Sequence, residues 1–563
     1  MSQSEYWANF MGKRLSRRRL LQAGAMAGTS LWVGSTLGCG GGASSTPAAG
    51  TGQTTAQAGG TPTPQRGGTL RVNLAIMEYA GFDPYITNNF VGPTYEKLVH
   101  HSPKRDKIVP ALAQSWETPD DLTYIFKMQQ GVKFQNVAPV NGRECTADDA
   151  KYSMERTLSE GAQYPWRPSF LSIDKVEAVD KYTLKITTKV PFAPLMNNMA
   201  LMGDYVMPKE IVGSDNVATK AIGTGAFIFD RWDKGDKIVW KRNPDYRVAG
   251  HPYFDGVEYK WSADYTSLVA VFISDQADVA TMYAQDTKTI LSKRPKAQMY
   301  QASALSQYGF IFRQGFKPTD DVRVRQAMDL MVQRWEMCYR LAGGTGELFG
   351  GSPTGPINHS LENWAIPMSE LTQRPGFMEK YPKAEALAQA KKLMADAGYA
   401  NGFDIELLNT PEQYRDMICQ MCQEWWKDIG IRVTIKQMDM TAFYATGLKG
   451  DFQLALWITG GGNPDPDAQL YSPLKSDSVN NWGKWNDPKL DKLLEDQRAT
   501  LDVNKRKQIV LETQRYILDQ VPRMFLYDWS TYTAMRENIH DLVPWAAATF
   551  AGWEDLHNAW FSK

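Results

Sequence analysis

The sequence predicts an α/β protein whose sheet is covered by helices on both faces. From Gly67 onward, short runs typical of strands alternate with longer runs that have helical periodicity. This alternation is typical of α/β units, in which helices pack on either side of a sheet. No segment repeats at a fixed period, so a solenoid is excluded.

The predicted elements follow in chain order. Strands are predicted at the start of GGTLRVNLAI (67–76), in LTYIFKM (122–128) and in YTLKITT (182–188). Helices are predicted in ADDAKYSMERTL (147–158) and in AEALAQAKKLMADAG (384–398), the second ending at Gly398. IELLNT (405–410) and IRVTIK (431–436) are predicted strands on either side of a further helix. These segments support the α/β class along most of the chain.

Length and charge exclude several classes of protein. With 563 residues, the chain is long enough for two or more domains, each with its own core. Its 62 Lys and Arg balance 62 Asp and Glu, which is unlike the basic surface of a nucleic-acid-binding protein. Beyond the N-terminus, no stretch approaches the run of about 20 apolar residues that a membrane-spanning helix needs.

Residues 1–38 are predicted to be an export signal. SRRRLLQ (16–22) opens an apolar stretch rich in Gly and Ala that runs from Leu20 to Leu37 and ends in TLGCG at Cys39. This pattern resembles a twin-arginine signal joined to a lipoprotein cleavage site, and a transmembrane anchor is the alternative. The resemblance implies lipidation at Cys39 and attachment to the outer face of the cytoplasmic membrane, in the periplasm or at the cell surface. Residues 39–66 contain almost only small and polar residues, which predicts a flexible tether.

Three of the four further cysteines, Cys338, Cys419 and Cys422, are interpreted as buried thiols. Only Cys419 and Cys422 have motif-like spacing, and no second Cys or His pair that would complete a zinc or redox site lies nearby. Their segment has helical periodicity, with Ile418, Met421 and Trp425 on the same stripe as Cys422. Cys338 falls on a similar stripe.

Catalytic motifs are absent from the sequence. It contains no H-E-x-x-H, G-x-S-x-G or phosphate-loop pattern, and its six histidines form no set with ligand spacing. We therefore expect neither an enzyme nor a resident metal or cofactor. The acidic pairs at 120–121 and 148–149 stand beside turns or helix starts, where we expect them to cap backbone N–H groups.

Several segments together resemble one known family. VPALAQSWETPDDLTYIFKMQQGVKF (109–134) and CTADDAKYSMER (145–156) are similar to the family 5 extracytoplasmic solute-binding proteins, receptors of oligopeptide, dipeptide and nickel ABC importers. Further similar segments follow in the order of the family, at 221–261, 320–334, 390–407, 425–439, 452–471 and 485–497.

The resemblance implies a bilobal periplasmic-binding-protein-like fold with an additional subdomain inserted in the first lobe. Lobe I would comprise 67–110, 222–312 and 525–563, the inserted subdomain 111–221, and lobe II 313–524. The chain would cross between lobes near 309–316 and 522–526. Closure of the lobes would take a solute out of water, and the closed form would deliver it to a transmembrane permease powered by a separate ATPase. A monomer is expected.

The resemblance leaves the class of solute open. In peptide receptors, an Asp after the tryptophan-bearing strand pairs with the peptide ammonium; the aligned position here is Gly462, although Asp465 or Asp467 could replace it. A peptide-like solute is the first expectation. An oligosaccharide is the alternative, because tryptophan faces stack on sugar rings. A nickel chelate is a third possibility, and a secreted hydrolase such as a glycosidase would be a different class.

The residues expected to contact the solute come from two regions. One is the loop after the first strand, and the other follows the tryptophan-bearing strand. The candidates are Tyr79, Tyr85, Asn89, Trp457, Asn463, Asp465, Asn481, Trp482 and Trp485.

Overall fold

The computed structural model describes residues 63–75, 81–85, 91–103, 105–159, 164, 167–201, 205–212, 217, 219–262, 265–283, 285–342, 351–460, 462–544 and 555–562. All of these except residue 63 belong to one compact unit, Pro64–Lys563. The predicted export signal, Cys39 and most of the predicted tether lie outside the described residues. Within the described part of the chain, no helix has the length and hydrophobicity needed to cross a membrane.

Eighteen strands are formed by the described residues. They are β1 (Thr69–Ala75), β2 (Val99–His101), β3 (Ile108–Pro110), β4 (Ala113–Glu117), β5 (Thr123–Met128), β6 (Ile173–Asp180), β7 (Thr183–Thr188), β8 (Phe227–Asp233), β9 (Lys237–Arg242), β10 (Gly256–Ser262), β11 (Val279–Met282), β12 (Gln298–Phe312), β13 (Phe403–Asn409), β14 (Ile431–Gln437), β15 (Leu454–Thr459), β16 (Arg523–Met535), β17 (Ile539–His540) and β18 (Trp560–Phe561).

Fifteen α-helices are described between and around these strands. They are α1 (Ala147–Leu158), α2 (Leu195–Leu201), α3 (Lys209–Val212), α4 (Tyr265–Ile273), α5 (Asp286–Lys293), α6 (Lys317–Asp320), α7 (Val322–Leu330), α8 (Arg334–Leu341), α9 (Met368–Leu371), α10 (Lys383–Asp396), α11 (Gln413–Lys427), α12 (Met440–Lys449), α13 (Asp467–Leu474), α14 (Pro488–Ala499) and α15 (Val503–Gln520).

A mixed ten-stranded sheet organises the molecule, in the order β14-β13-β15-β12-β16-β11-β1-β10-β9-β8. Its two longest strands, β12 and β16, pair antiparallel from Gln298↔Met535 to Ile311↔Arg523. On one side β12 pairs with β15, and on the other β16 pairs with β11. The two long strands therefore join the two halves of the bilobal fold.

The ladder between β12 and β16 is interrupted near its middle. The register shifts between Ser303 and Ser306, and Leu305 between them has a φ of +49°. A shift of this kind bends a strand and increases its local twist. It lies next to Gln307, where β12, which stays paired with β16, begins to pair with β15 as well. The exact lobe boundaries stay a prediction.

Strands β13, β14 and β15 form a parallel unit covered on both faces, in agreement with the predicted fold class. On one face, α11 packs its Ile418, Cys422 and Trp426 against apolar residues of β12 and β13. On the other, Phe443 of α12 packs with Trp482 and residues of β13 and β15. Helices on both faces bury the apolar side chains of each strand.

A separate four-stranded antiparallel sheet, β4-β5-β7-β6, lies within the segment predicted as the inserted subdomain. Helix α1 begins there with a capping box, because the Thr146 side chain accepts from the Asp149 N–H while the Asp149 carboxylate accepts from the Thr146 N–H. Asp120 accepts from the Leu122 N–H at 2.8 Å in a turn. The capping role predicted for Asp120 and Asp149 is confirmed.

The four described cysteines, Cys145, Cys338, Cys419 and Cys422, are free and buried. Desolvation raises the pKa of each thiol above its ordinary value. The interpretation of Cys338, Cys419 and Cys422 as buried thiols is therefore confirmed, and Cys145 is a buried thiol as well.

Candidate functional site

The carboxyl ends of β13 and β15 form a topological switch point of the sheet, where α/β proteins have a crevice. The chain leaves β13 through α11 on one face of the sheet, and it enters β15 from α12 on the opposite face. The two strands pair only at Leu407↔Leu454 and Leu408↔Ala455, so they separate beyond those residues. In α/β sheets, ligands bind where neighbouring parallel strands send their connections to opposite faces. This topology makes the crevice the candidate solute site.

Trp457, at the end of β15, is embedded in an aromatic cluster. Its ring stacks on Trp482 with centroids 5.4 Å apart, and Phe443 and Tyr444 lie at 5.1 and 4.9 Å. Trp482 packs so closely on α12 that a Cβ at Gly447 would lie 2.3 Å from its ring. Trp482 is therefore a buried packing residue behind Trp457, whereas Trp457 itself is only half-buried.

Arg415, from the first turn of α11, covers Trp457. Its guanidinium carbon lies 4.6 Å from the centre of the Trp457 ring and 5.7 Å from that of Tyr308. Its Nη1 donates to Thr410 Oγ1 at 2.6 Å, and its Nε lies 3.5 Å from Glu412 Oε2. The crevice thus contains the Arg415 guanidinium, which stacks on Trp457, one of the residues predicted to contact the solute.

The far wall of the crevice comes from the other half of the sheet. Tyr283, directly after β11, contacts Tyr414 of α11 with ring centroids 4.9 Å apart. Nearby, Asp528 of β16 pairs with Gln307 of β12, and its carboxylate lies 3.3 Å from His359 Nδ1 and accepts from the Ser352 N–H. Desolvation raises the pKa of Asp528, although the nearby His359 opposes this shift.

Asp465 lies at the bottom of the loop after β15 and is fully buried. Arg506 donates to both of its carboxylate oxygens, at 2.5 and 2.9 Å, and Asn197 Nδ2 donates at 2.8 Å. Desolvation acts to raise the Asp465 pKa, but Arg506 outweighs it and the pKa falls below its usual value. Both oxygens are therefore occupied by protein groups.

Asp467 is likewise paired, with Arg498 at 2.8 Å. Gly462, which the family resemblance aligns with an ammonium-binding Asp, has a carbonyl that accepts from Arg105 Nη1 at 3.5 Å. The guanidinium of Arg105, which lies between β2 and β3, is therefore next to Gly462.

The two candidate asparagines bond to protein groups. Asn463 Nδ2 donates to Asn198 Oδ1 at 3.0 Å, and its own Oδ1 accepts from the Asp465 N–H at 2.8 Å. Asn481 closes its loop by bonding both the N–H and the carbonyl of Trp485. The Trp485 ring lies 4.6 Å from the Arg325 guanidinium. The structure therefore places Asn481 and Trp485 together within their loop, and it places Asn463 at a contact with α2.

The structure describes only part of the loop that follows β1, residues 81–85. Tyr85 is 1% exposed, and its hydroxyl lies 2.9 Å from the Ser153 carbonyl and 3.0 Å from that of Tyr205. Tyr79 and Asn89 lie outside the described residues. Among the described residues, no group of three or more His, Cys, Asp or Glu side chains could hold a metal ion.

Arg415 and Glu412 are residues of the crevice that the sequence reasoning missed. They belong to TPEQYR (410–415), which joins β13 to α11. The signal was available, since polar residues between a parallel strand and the following helix lie at the edge where α/β proteins bind ligands.

Both a family profile and a characterised relative that match this chain are solute-binding proteins. The profile described as "Bacterial extracellular solute-binding proteins, family 5 Middle" matches residues 107–481. Di/tripeptide-binding protein 1 of Pseudomonas aeruginosa (strain UCBPP-PA14) is 26% identical over 498 residues, which cover 82% of this chain and 89% of that protein.

Solved structures share the fold. The Helicobacter pylori periplasmic binding protein DppA in complex with the peptide STSA is 22% identical, with a TM-score of 0.72 over 89% of this chain and 99% of that one. The Bacillus subtilis oligopeptide-binding protein AppA, in complex with a nonapeptide, is 23% identical, with a TM-score of 0.70 over 89% and 100%.

Proposed function

Because the chain belongs to the family 5 bacterial extracellular solute-binding proteins, we propose that it captures a peptide-like solute between its two lobes and delivers it to the permease of an ABC importer. It holds the solute and releases it chemically unchanged, and ATP hydrolysis by a separate subunit drives transport. Two of its relatives are named di/tripeptide-binding proteins, which supports this class of solute.

The proposal rests on the last residues of β15, Trp457 to Thr459, which have a strand beside them on one side only. On one side, Trp457 to Thr459 pair with Gly309 to Gln307 of β12. On the other side, β13 ends its pairing at Ala455, so among the described residues no second strand lies beside this segment. An extended peptide can bind such an edge through main-chain hydrogen bonds, while pockets receive its side chains. The half-buried Trp457 ring would then contact a side chain of the solute.

The aromatic cluster favours a peptide over an oligosaccharide. Stacking on a sugar needs an open ring face. Trp482 is only 4% exposed, and the Trp457 ring is already in contact with Trp482 and Arg415. An extended chain bound along β15 does not need either ring face to be free.

The N-terminal pattern supports an extracytoplasmic location. Residues 1–38 would direct export, Cys39 would carry the lipid anchor, and residues 39–66 would tether a monomeric receptor to the outer face of the cytoplasmic membrane. Tethering raises the local concentration of the receptor near its permease.

Binding and closure can be tested together with a random tripeptide library. We expect native mass spectrometry to show bound tripeptides of unaltered mass, and X-ray scattering to show a smaller radius of gyration with the library than without it. Cello- and malto-oligosaccharides serve as the comparison set. Closure with these sugars alone would favour the oligosaccharide receptor, and cleavage of any bound compound would favour a hydrolase.

A further inference from the structure

Arg523, the first residue of β16, is a buried cation that pairs with no carboxylate of the described residues. It is 4% exposed, and desolvation lowers its pKa to about 9, which still leaves it charged at neutral pH. A buried charge without a partner is costly. An apolar side chain of similar length would therefore stabilise the fold at this position at least as well as the arginine does.

The carboxylates Asp528 and Asp416 have other partners. Asp528, on the same strand as Arg523, lies 3.3 Å from His359 Nδ1. Asp416 of α11 accepts from Asn409 Nδ2 at 2.8 Å. Neither carboxylate compensates the charge of Arg523, whose pKa is shifted by desolvation alone.

The Arg523 side chain makes one hydrogen bond among the described residues. Its Nη2 donates to the Trp457 carbonyl at 3.0 Å, while its buried Nε has no partner there. Arg523 belongs to β16 and Trp457 to β15, and β12 lies between these two strands in the sheet. The guanidinium therefore reaches across β12 and connects β16, which joins the two halves of the sheet, to the end of β15.

Gly309 of β12 gives the arginine room to cross. It pairs with Trp457 on one side and with Phe525 on the other. A Cβ at this position would lie 3.2 Å from Arg523 Nε and 2.2 Å from the Met524 carbonyl oxygen. Any larger residue here would therefore press on the Arg523 side chain and on β16.

Arg325 shows how a buried arginine is held when it serves the fold. It is 2% exposed and donates to four backbone carbonyls at the C-terminal ends of α6 and α15. A guanidinium has five N–H donors, and Arg325 uses most of them to join helices. Arg523 uses one hydrogen bond, and that bond ends on a residue of the candidate solute site.

The segment held by Arg523 has little other support. Trp457 to Thr459 pair with β12, but β13 ends its pairing with β15 at Ala455. A bond to the Trp457 carbonyl therefore restrains a strand end that has a neighbouring strand on one side only.

We propose that Arg523 is a positioning residue for solute binding, which holds the end of β15 in the orientation that a peptide needs in order to pair with it. The inference rests on the proposed function, and it adds that the binding edge is fixed from β16. Arg523 acts through Trp457 and does not itself contact the solute.

Arg523→Met tests this role, because methionine has a similar reach but neither charge nor donor. We expect the affinity for the random tripeptide library to fall at least about 10-fold, which corresponds to about 1.4 kcal/mol. The midpoint of urea unfolding without solute should stay the same or rise. Hydrogen–deuterium exchange of residues 457–459 should become faster, whereas that of residues 407–409 should not change. Arg523→Lys should restore part of the affinity, because it keeps a charged donor.

The matched control is Arg325→Met, which should lower the urea midpoint but leave the tripeptide affinity of the folded protein unchanged. Wild-type affinity in Arg523→Met would overturn the inference while leaving the peptide proposal intact. A marked fall in its urea midpoint, or failure to fold, would also overturn the inference, because Arg523 would then serve stability. Failure of the wild type to bind the library would instead overturn the peptide proposal, and this inference with it.

Discussion

Asp465 and Arg506 form a fully buried ion pair that joins the loop after β15 to helix α15, with Arg506 Nη2 2.5 Å from Asp465 Oδ1. Gln497 accepts from the same guanidinium at 3.0 Å. The acidic loop residue that the sequence offers as a solute ligand is therefore engaged within the protein.

Removing one member of this pair should destabilise the protein strongly. Asp465→Asn or Arg506→Gln leaves a buried charge without its partner, and we expect each to lower the free energy of unfolding by about 3–5 kcal/mol. The double variant should lose less than the sum of the two single losses. Urea unfolding of the unliganded protein measures this; near-additive losses would show that the two side chains do not act as a pair.

The stability contributed by Asp465 should depend on pH. Because its pKa in the folded protein is lowered, the contribution is complete above the unfolded-state pKa of about 3.9 and is lost as the pH falls through the lower folded-state value. The difference in unfolding free energy between wild type and Asp465→Asn should stay constant from pH 7 to 5 and shrink below pH 4. A difference that grows on acidification would contradict the assigned direction.

The two stacked tryptophans should respond differently to truncation. Trp482 is buried against Gly447 and Phe443, so Trp482→Ala should cost about 3–5 kcal/mol of stability even without solute. Trp457 is half-buried at the crevice, and Trp457→Ala should cost less stability but weaken the binding of the tripeptide library more. Urea unfolding and calorimetric binding separate the two effects. Equal losses of stability would place Trp457 in the packed core as well.

A hydrogen bond from α2 to the loop after β15 should favour the closed form. Asn197 donates to the Asp465 carboxylate, and bonds to charged groups contribute about 1.5–3 kcal/mol. We expect Asn197→Ala to increase the radius of gyration of the unliganded protein and to weaken tripeptide binding. The control is Asn480→Ala, because Asn480 is exposed and its side-chain amide donates to Ser472 Oγ, a group eight residues away in the same part of the chain. An unchanged scattering profile would rule out this effect.

The buried thiols should resist modification in the folded protein. Cys145, Cys338, Cys419 and Cys422 are at most 3% exposed, and burial raises their pKa values. In protein that starts after residue 39, we expect none to react rapidly with a disulfide reagent at pH 8, and all four to react in urea. Rapid reaction of the Cys419 and Cys422 pair alone would support the redox motif instead.

The sequence by itself determined the local structure of this protein and its family. Helix α11 illustrates this, because the spacing of Ile418, Cys422 and Trp425 predicts which face is buried before any partner is known. The Asp149 cap is likewise encoded within four residues. Such features depend on neighbours close in the chain, which periodicity and capping rules describe.

Only the tertiary structure decided which polar side chains are paired with other groups of the protein. Asp465 has its charge compensated by a residue 41 positions later in the chain, and Arg415 lies over a tryptophan of β15, a strand three elements later. No local pattern specifies these contacts, because they depend on how strands and helices pack. Folding therefore pairs Asp465, which was expected to contact the solute, with Arg506. It also places Arg415 over Trp457 at the crevice.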